Sequence, residues 1–255
     1  MIALAIAQQT VREALRRRVM WIFLICGLFL ISLGPVFGFL SPRDSQTVLR
    51  SLGLAAILLA GLFITIVTCI YLIPVEIERR TIYTVLSKPV QRYQFVLGKF
   101  LGGFATVFVN IALMGIVFLF MIWIQEHKVP TEMFQGVIMT FFQMMLLAAL
   151  TIFFSTFATP VVNFFLSFGI FLVGNLSTVT ESLTTNRNGV VRIVGNVVHY
   201  LLPNFGNFNI QNSIIHPTTE IANQNVYVAQ NVIYAVVYSA VLLILAILIF
   251  DRREV

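Results

Sequence analysis

The side chains able to do chemistry in this 255-residue sequence are few and dispersed. His127, His199 and His216 lie far apart, and no His-Glu-x-x-His stretch sets two ligands one helical turn apart, the spacing a hydrolytic zinc site uses. Cys26 and Cys69 each fall in the middle of a long apolar run and read as small packing residues. The Gly98-Lys99 pair in VLGKF is followed by Phe100. A phosphate loop needs more glycines and a Lys-Ser or Lys-Thr pair, so that backbone amides and an ammonium can hold a triphosphate. Sequence order cannot exclude a Ser-His-acid triad, but there is no Gly-x-Ser-x-Gly elbow and acids are scarce outside the loops. The expectation is a chain that is not an enzyme, with no catalytic residues and no cofactor or metal of its own. The densest cluster of charge is EIERRTIYTVLSKPVQRYQFVLGKF, from Glu76 to Phe100, which carries both signs between two long apolar stretches.

Composition says where such a cluster must sit. The chain is 59% hydrophobic and 10% charged, with a mean hydropathy of +0.95, whereas soluble domains are about 25% charged. This is an integral membrane protein. Its net charge of +6 does not point to nucleic acid, because the basic residues border the apolar runs instead of sharing one polar face. The N-terminus, MIALAIAQQTVREALRRR, has no basic region ahead of its apolar residues and ends in arginines, so it does not read as a cleavable signal peptide.

Crossing about 30 Å of hydrocarbon takes about 20 largely uncharged residues. Six segments qualify, at about 19–40, 51–75, 98–124, 133–157, 159–180 and 231–250. The predicted fold class is an all-α integral membrane protein forming one transmembrane domain over 1–255. The fourth and fifth segments are divided only by STFATPV, where Thr159 and Pro160 predict a tight hairpin. An even number of spans puts both termini on one side. Arg12, Arg16, Arg17, Arg18, Arg79, Arg80, Lys88, Arg92, Lys99, Arg252 and Arg253 share that side, against Arg43, Arg50, Lys128, Arg187 and Arg192 on the other, so the first side is cytoplasmic. No charge lies well inside a span, which argues against a proton pump or voltage sensor. Asn110, Gln143, Asn163 and Asn175 do lie within spans; hydrogen bonding between helices and lining of a substrate path are both open to them.

Two further elements are amphipathic. Residues 1–17, read as a helix, place Leu4, Val11, Leu15 and Val19 on one stripe and Gln9, Arg12, Glu13, Arg16 and Arg17 on another, with Glu13 and Arg17 four apart. This predicts an interfacial helix with arginines toward lipid head groups. In GVVRIVGNVVHYLL, Arg192, Asn196 and His199 oppose a valine face, which predicts an external amphipathic helix between spans five and six. The following PNFGNFNIQNS reads as a turn-rich external loop, either contacting a partner or substrate or serving as an inert lid.

The charged stretch reads as a short cytoplasmic helix that leaves the second span and ends near Lys88, because Pro89 pushes the preceding residue out of the helical region. Glu76 and Arg80 are spaced to pair. Anchoring needs only basic residues, so Glu76 and Glu78 point to ion pairs that fix the helix or to complementarity with a protein surface; a solvated loop is the plainer alternative.

The stretch EIERRTIYTVLSKPVQRYQFVLGKFLG resembles the loop between spans two and three of type-two ABC transporter permeases, especially the branch with the nitrous oxide reductase (copper-enzyme) maturation permeases. The layout agrees: amphipathic N-terminal helix, six spans, a long external segment before the last span, and DRREV at the end. The resemblance implies a permease subunit in a prokaryotic cytoplasmic (inner) membrane. Its implied partners are two copies of a cytoplasmic ABC ATPase, which would bind ATP and Mg2+, a second permease copy or paralogue, and a periplasmic or extracellular partner. It also implies a coupling helix seated on the ATPase, formed by Arg79, Arg80, Thr81, Ile82, Tyr83, Leu86, Ser87 and Lys88 and preceded by Glu76 and Glu78. Two other classes compete: a membrane scaffold or assembly factor not coupled to ATP, and a passive channel, which should show a polar stripe along several spans.

Overall fold

In hydrocarbon an apolar chain segment can satisfy its backbone N–H and C=O groups only internally, as a helix or a closed barrel. The computed structural model describes residues 2–40, 45–78, 91–175, 202–209 and 224–252, and they form helices, with no strand among them. In order these are α1 (Ile2–Arg16), α2 (Arg18–Leu40), α3 (Ser45–Cys69), α4 (Pro74–Glu78), α5 (Arg92–Glu126), α6 (Thr131–Ser155), α7 (Pro160–Asn175) and α8 (Gln224–Arg252), with a short 3-10 turn at Gly206–Phe208. Arg79, Arg80, Thr81, Ile82, Tyr83, Leu86, Ser87 and Lys88, where a coupling helix is expected, and the amphipathic helix expected near 189–201 lie outside the described residues.

Among the described residues five helical stretches are long and apolar enough to cross a membrane: Arg18–Gly38, Ser45–Ile77, Arg92–Glu126, Thr131–Ser155 and Gln224–Arg252. The chain is therefore read as a multi-pass membrane protein. The fifth predicted segment appears as α7, whose 16 described residues rise only about 24 Å; positions 176–180, where the predicted span continues, are outside the described residues. The hairpin expected at Pro160 is present. Helix α6 stops at Ser155, the Ala158 N–H closes on the Phe154 carbonyl at 2.8 Å, and Pro160 opens α7, where a missing N–H costs nothing.

The second segment is not the single helix 51–75 that its hydropathy suggests. It begins earlier, at Ser45, and breaks after Cys69 into a turn before α4 starts at Pro74. Pro74 offers no N–H to continue the helix, and the Leu72 N–H turns back to the Cys69 carbonyl at 3.2 Å.

Helices α3 and α6 make the centre of the bundle, with 72% and 67% of their most apolar windows buried, against 28% for α2 and for α8. Met139, Met144, Leu146, Leu147, Ala148 and Ala149 of α6 pack with Ile57 and Ile66 of α3 in one core. The outer faces of α2 and α8 expose Ile22, Ile25, Phe29, Ile233, Val237 and Ile244, which suits lipid contact. At one end of the bundle Arg50 grips Glu126 with two hydrogen bonds, one of 3.0 Å from Nε, so α3 and α5 are tied together where α5 ends. At the opposite end Arg17, at the α1–α2 joint, pairs with Glu13 at 2.9 Å, as their spacing predicts, and lies 5.5 Å over the Tyr71 ring.

Helix α1 packs along the start of α5. A Cβ on Gly98 would sit 2.9 Å from the Ala3 carbonyl and from Ile6, and one on Gly102 would sit 2.8 Å from the Ala7 carbonyl and 2.5 Å from Thr10 Cβ. Gly98 and Gly102 form a Gly-x-x-x-Gly pair, one turn apart, that lets two backbones approach closely. The buried face of α1 carries Thr10 and Ala14, while Leu4, 74% exposed, and Leu15 point away from α5. The helix thus has a small-residue face for protein, besides the large apolar stripe and the arginine stripe.

Candidate functional site

The chain between 78 and 91 is held at both of its ends. On the way in, α4 is one short turn begun by Pro74, and Glu76 on it accepts from Lys99 Nζ of α5 at 2.7 Å. The Lys99 side chain is only 6% exposed, and its ammonium also lies 5.7 Å over the Phe95 ring. On the way out, Arg92 opens α5 and donates from Nη1 to the main-chain carbonyls of Phe250 at 3.3 Å and Asp251 at 2.9 Å. A cation over the last carbonyls of α8 satisfies acceptors with no partner inside the helix. The Asp251 carboxylate is 3.9 Å from Arg92 Nε. Of the charges in this stretch, Glu76 and Lys99 thus pair with each other between α4 and α5, and Arg92 holds the end of α8. Glu76 accepts from Lys99, 23 residues on; Arg80, to which the helical spacing points, is outside the described residues.

At the other end of the bundle the chain turns inward. The stretch PNFGNFNIQNS, positions 203–213, reads from its Asn and Gly content as an external loop; its described part, within Leu202–Asn209, is turn-rich, but Pro203, Phe205 and Phe208 are buried in the bundle. Gln143 stands at the midpoint of α6, twelve residues from either end, and its Nε2 donates to the Phe205 carbonyl at 3.1 Å. The Phe205 ring packs on Phe171 of α7 with centroids 5.1 Å apart. A Cβ on Gly174 would be 2.8 Å from the same ring, so only glycine admits it.

Irregular backbone at this depth must be satisfied by protein groups. The Asn204 N–H donates to Tyr234 Oη at 3.0 Å and the Gly206 N–H to Asn204 Oδ1 at 3.1 Å. Tyr227 Oη donates to the Asn207 carbonyl at 2.7 Å. The Phe208 N–H closes on the Phe205 carbonyl at 3.2 Å, and the Asn209 N–H on the Gly206 carbonyl at 3.0 Å. Two tyrosines two turns apart on α8, and one glutamine on α6, thus hold the segment.

The four in-span amides do not form one row. Asn163 Nδ2 donates to the Thr151 carbonyl at 2.9 Å while its Oδ1 accepts from Ser167 at 2.9 Å, so it clips α7 to α6. Asn110 Nδ2 donates back to the Thr106 carbonyl at 2.8 Å and approaches Met20 Sδ at 3.6 Å. Gln143 and Asn175 both belong to the surroundings of the inward segment, the second through its neighbour Gly174. Among the described residues no hydrogen-bond donor reaches the buried side-chain oxygens of Asn110, Gln143 and Asn175. Residues that sequence reasoning passed over are Gly98 and Gly102, Tyr227 and Tyr234, and Lys99 as a partner for Glu76. The glycines had a readable signal in their spacing of four; the tyrosines, seven apart on one helical face, had a weaker one. Among the described residues no cluster of His, Cys, Asp and Glu could hold a metal.

Comparison with known proteins places this arrangement. No curated protein matches the chain. The family model described as "ABC-2 family transporter protein" matches residues 4–255. That match takes in both held margins of the 78–91 connection, the inward segment and the helices described above, α1 from residue 4 onward, so the chain belongs to the ABC-2 family of transporter proteins.

Proposed function

We propose that this chain is the permease subunit of an ATP-driven transporter, working with a separate cytoplasmic ATPase present in two copies and with a second permease copy or paralogue. The observation that carries this reading is the family match over residues 4–255. In it, Arg79, Arg80, Thr81, Ile82, Tyr83, Leu86, Ser87 and Lys88, with Glu76 and Glu78 ahead of them, meet the ATPase. ATP and Mg2+ bind on that partner, and closure of the ATPase pair moves the connection. The Glu76–Lys99 pair and the Arg92 contacts to α8 support a direct transfer of this motion to α5 and α8, because a tied element biases what it is tied to.

The motion serves export of a substrate, or is handed to a partner on the far side. Gln143 and Asn175 are the amides we assign to the substrate path, with the Leu202–Asn209 segment across it; Asn110 and Asn163 serve helix packing first. The basic residues near α1, Arg92 and Arg252 support cytoplasmic termini in an inner membrane, with α1 on the lipid surface and six spans in all. Resemblance to the copper-enzyme maturation branch makes a copper- or sulfur-related cargo one candidate. The test is ATP hydrolysis by the assembled complex in proteoliposomes. Reversing Arg79 and Arg80 to Glu should uncouple hydrolysis from this chain's presence; a rate that is the same with and without the chain would contradict the reading.

A further inference from the structure

On the outside of the bundle α5 and α6 part to leave an open groove of about 280 Å³ lined by apolar side chains alone. Its floor is set by Gly115, where a Cβ would come within 2.7 Å of Val137 Cγ1. Phe108, Ala112, Ile116 and Leu119 of α5 and Phe134 and Phe141 of α6 line its walls, and Ile116 is 65% exposed at the rim. The volume falls short of the roughly 300–1,000 Å³ of sites for drug-sized ligands, and the shape is long. From Phe108 to Leu119 α5 rises about 16 Å, close to the roughly 15 Å half-thickness of a bilayer core. One turn beyond Leu119 stands half-exposed Trp123, the residue type of the head-group level. Above it the α5–α6 hairpin presents Lys128, exposed and with no ion pair among the described residues. Of the hairpin's carboxylates, Glu126 is held by Arg50, which also feels the charge of Glu132.

We propose that this groove is a lipid site, holding one acyl chain of a phospholipid from the leaflet on the Lys128 side, with the phosphate beside the Lys128 ammonium. A chain leaving bulk lipid gains little hydrophobic energy, so what retains it is close packing against the aromatic walls and the phosphate contact. The length match to one leaflet and a cation at the head-group end favour a single phospholipid over a second copy of this chain. The site does not depend on ATP coupling.

The test is native mass spectrometry of the full chain released from nanodiscs holding equal amounts of phosphatidylglycerol and a diacylglycerol with the same chains. The wild type should retain about one phospholipid and little diacylglycerol. Ala112→Trp and, independently, Ile116→Trp fill the groove and should bring retention to background while elution profile and melting temperature stay unchanged. Lys128→Gln should lower the preference for phospholipid about fivefold, the factor of one lysine near a head group. Unchanged retention in both tryptophan variants would overturn the site, and equal retention of the two lipids by the wild type would overturn the phosphate contact. A dimer that both tryptophan variants convert to monomer, with no change in lipid, would assign the groove to a second copy and likewise overturn the proposal.

Discussion

Gln143 and Phe205 are 62 residues apart, and the side-chain amide of the first donates to the main-chain carbonyl of the second across 3.1 Å. The bond joins the midpoint of a central helix to a segment that looks, by composition, like surface loop. It makes the inward position of Leu202–Asn209 testable.

Gln143→Leu removes one of two donors to the Phe205 carbonyl, since the Phe208 N–H remains. The expected cost is about 1 kcal/mol, read as a lower melting temperature in detergent. A cysteine at Asn207 should label faster in that background than in the parent. Tyr227→Phe, which removes the donor to the Asn207 carbonyl, should have the same effect.

Lys99 and Glu76 form a largely buried pair. Lys99→Met removes the ammonium that donates to Glu76 across the two helices and should cost about 1.5–3 kcal/mol, while Lys99→Met with Glu76→Leu should lose less than the sum of the two single changes. A double-mutant cycle on thermal unfolding measures it; additive losses would remove the pair from the account. In proteoliposomes the double variant should stay folded yet couple ATP hydrolysis poorly.

Gly102→Leu should lift α1 from α5, because a side chain there runs into the Ala7 carbonyl and Thr10. A cysteine replacing buried Thr10 should be protected from a water-soluble thiol reagent in the parent and reactive in the Gly102→Leu background.

Cysteines at Lys88 and Lys128 test orientation on the positive-inside argument. The first should react with an impermeant reagent only from the cytoplasmic side, and the second only from the opposite side. The reverse pattern would invert the topology.

The helices were legible because apolar length is a strong signal, and Pro160 marked the turn between α6 and α7 as it should. Pro74 marked a break just as plainly, yet hydropathy runs through it and hid the turn at Ile70–Ile73. The charges of Glu76, Lys99 and Arg92 could be sorted to one end of the bundle, but not paired, since a contact across 23 residues depends on how two helices pack. Phe205 and Phe208 were hidden among asparagines and glycines. Their burial comes from Gln143, Tyr227 and Tyr234 satisfying the backbone around them, a tertiary effect with no local pattern. Gly98 was weighed only as part of a phosphate loop and Gly102 not at all, and their value as a helix seat lay in their separation from each other.

The most direct measurement is identification, by mass spectrometry, of the chains that co-purify with this protein from its native membrane. The account predicts an ATPase chain carrying a phosphate loop, bound in the parent and lost on combining Arg79→Glu, Arg80→Glu and Leu86→Asp, while the variant remains inserted and retains its helical content. Absence of any such ATPase from the parent complex, or its unchanged recovery with the triple variant, would contradict the assignment of this chain as an ATP-coupled permease.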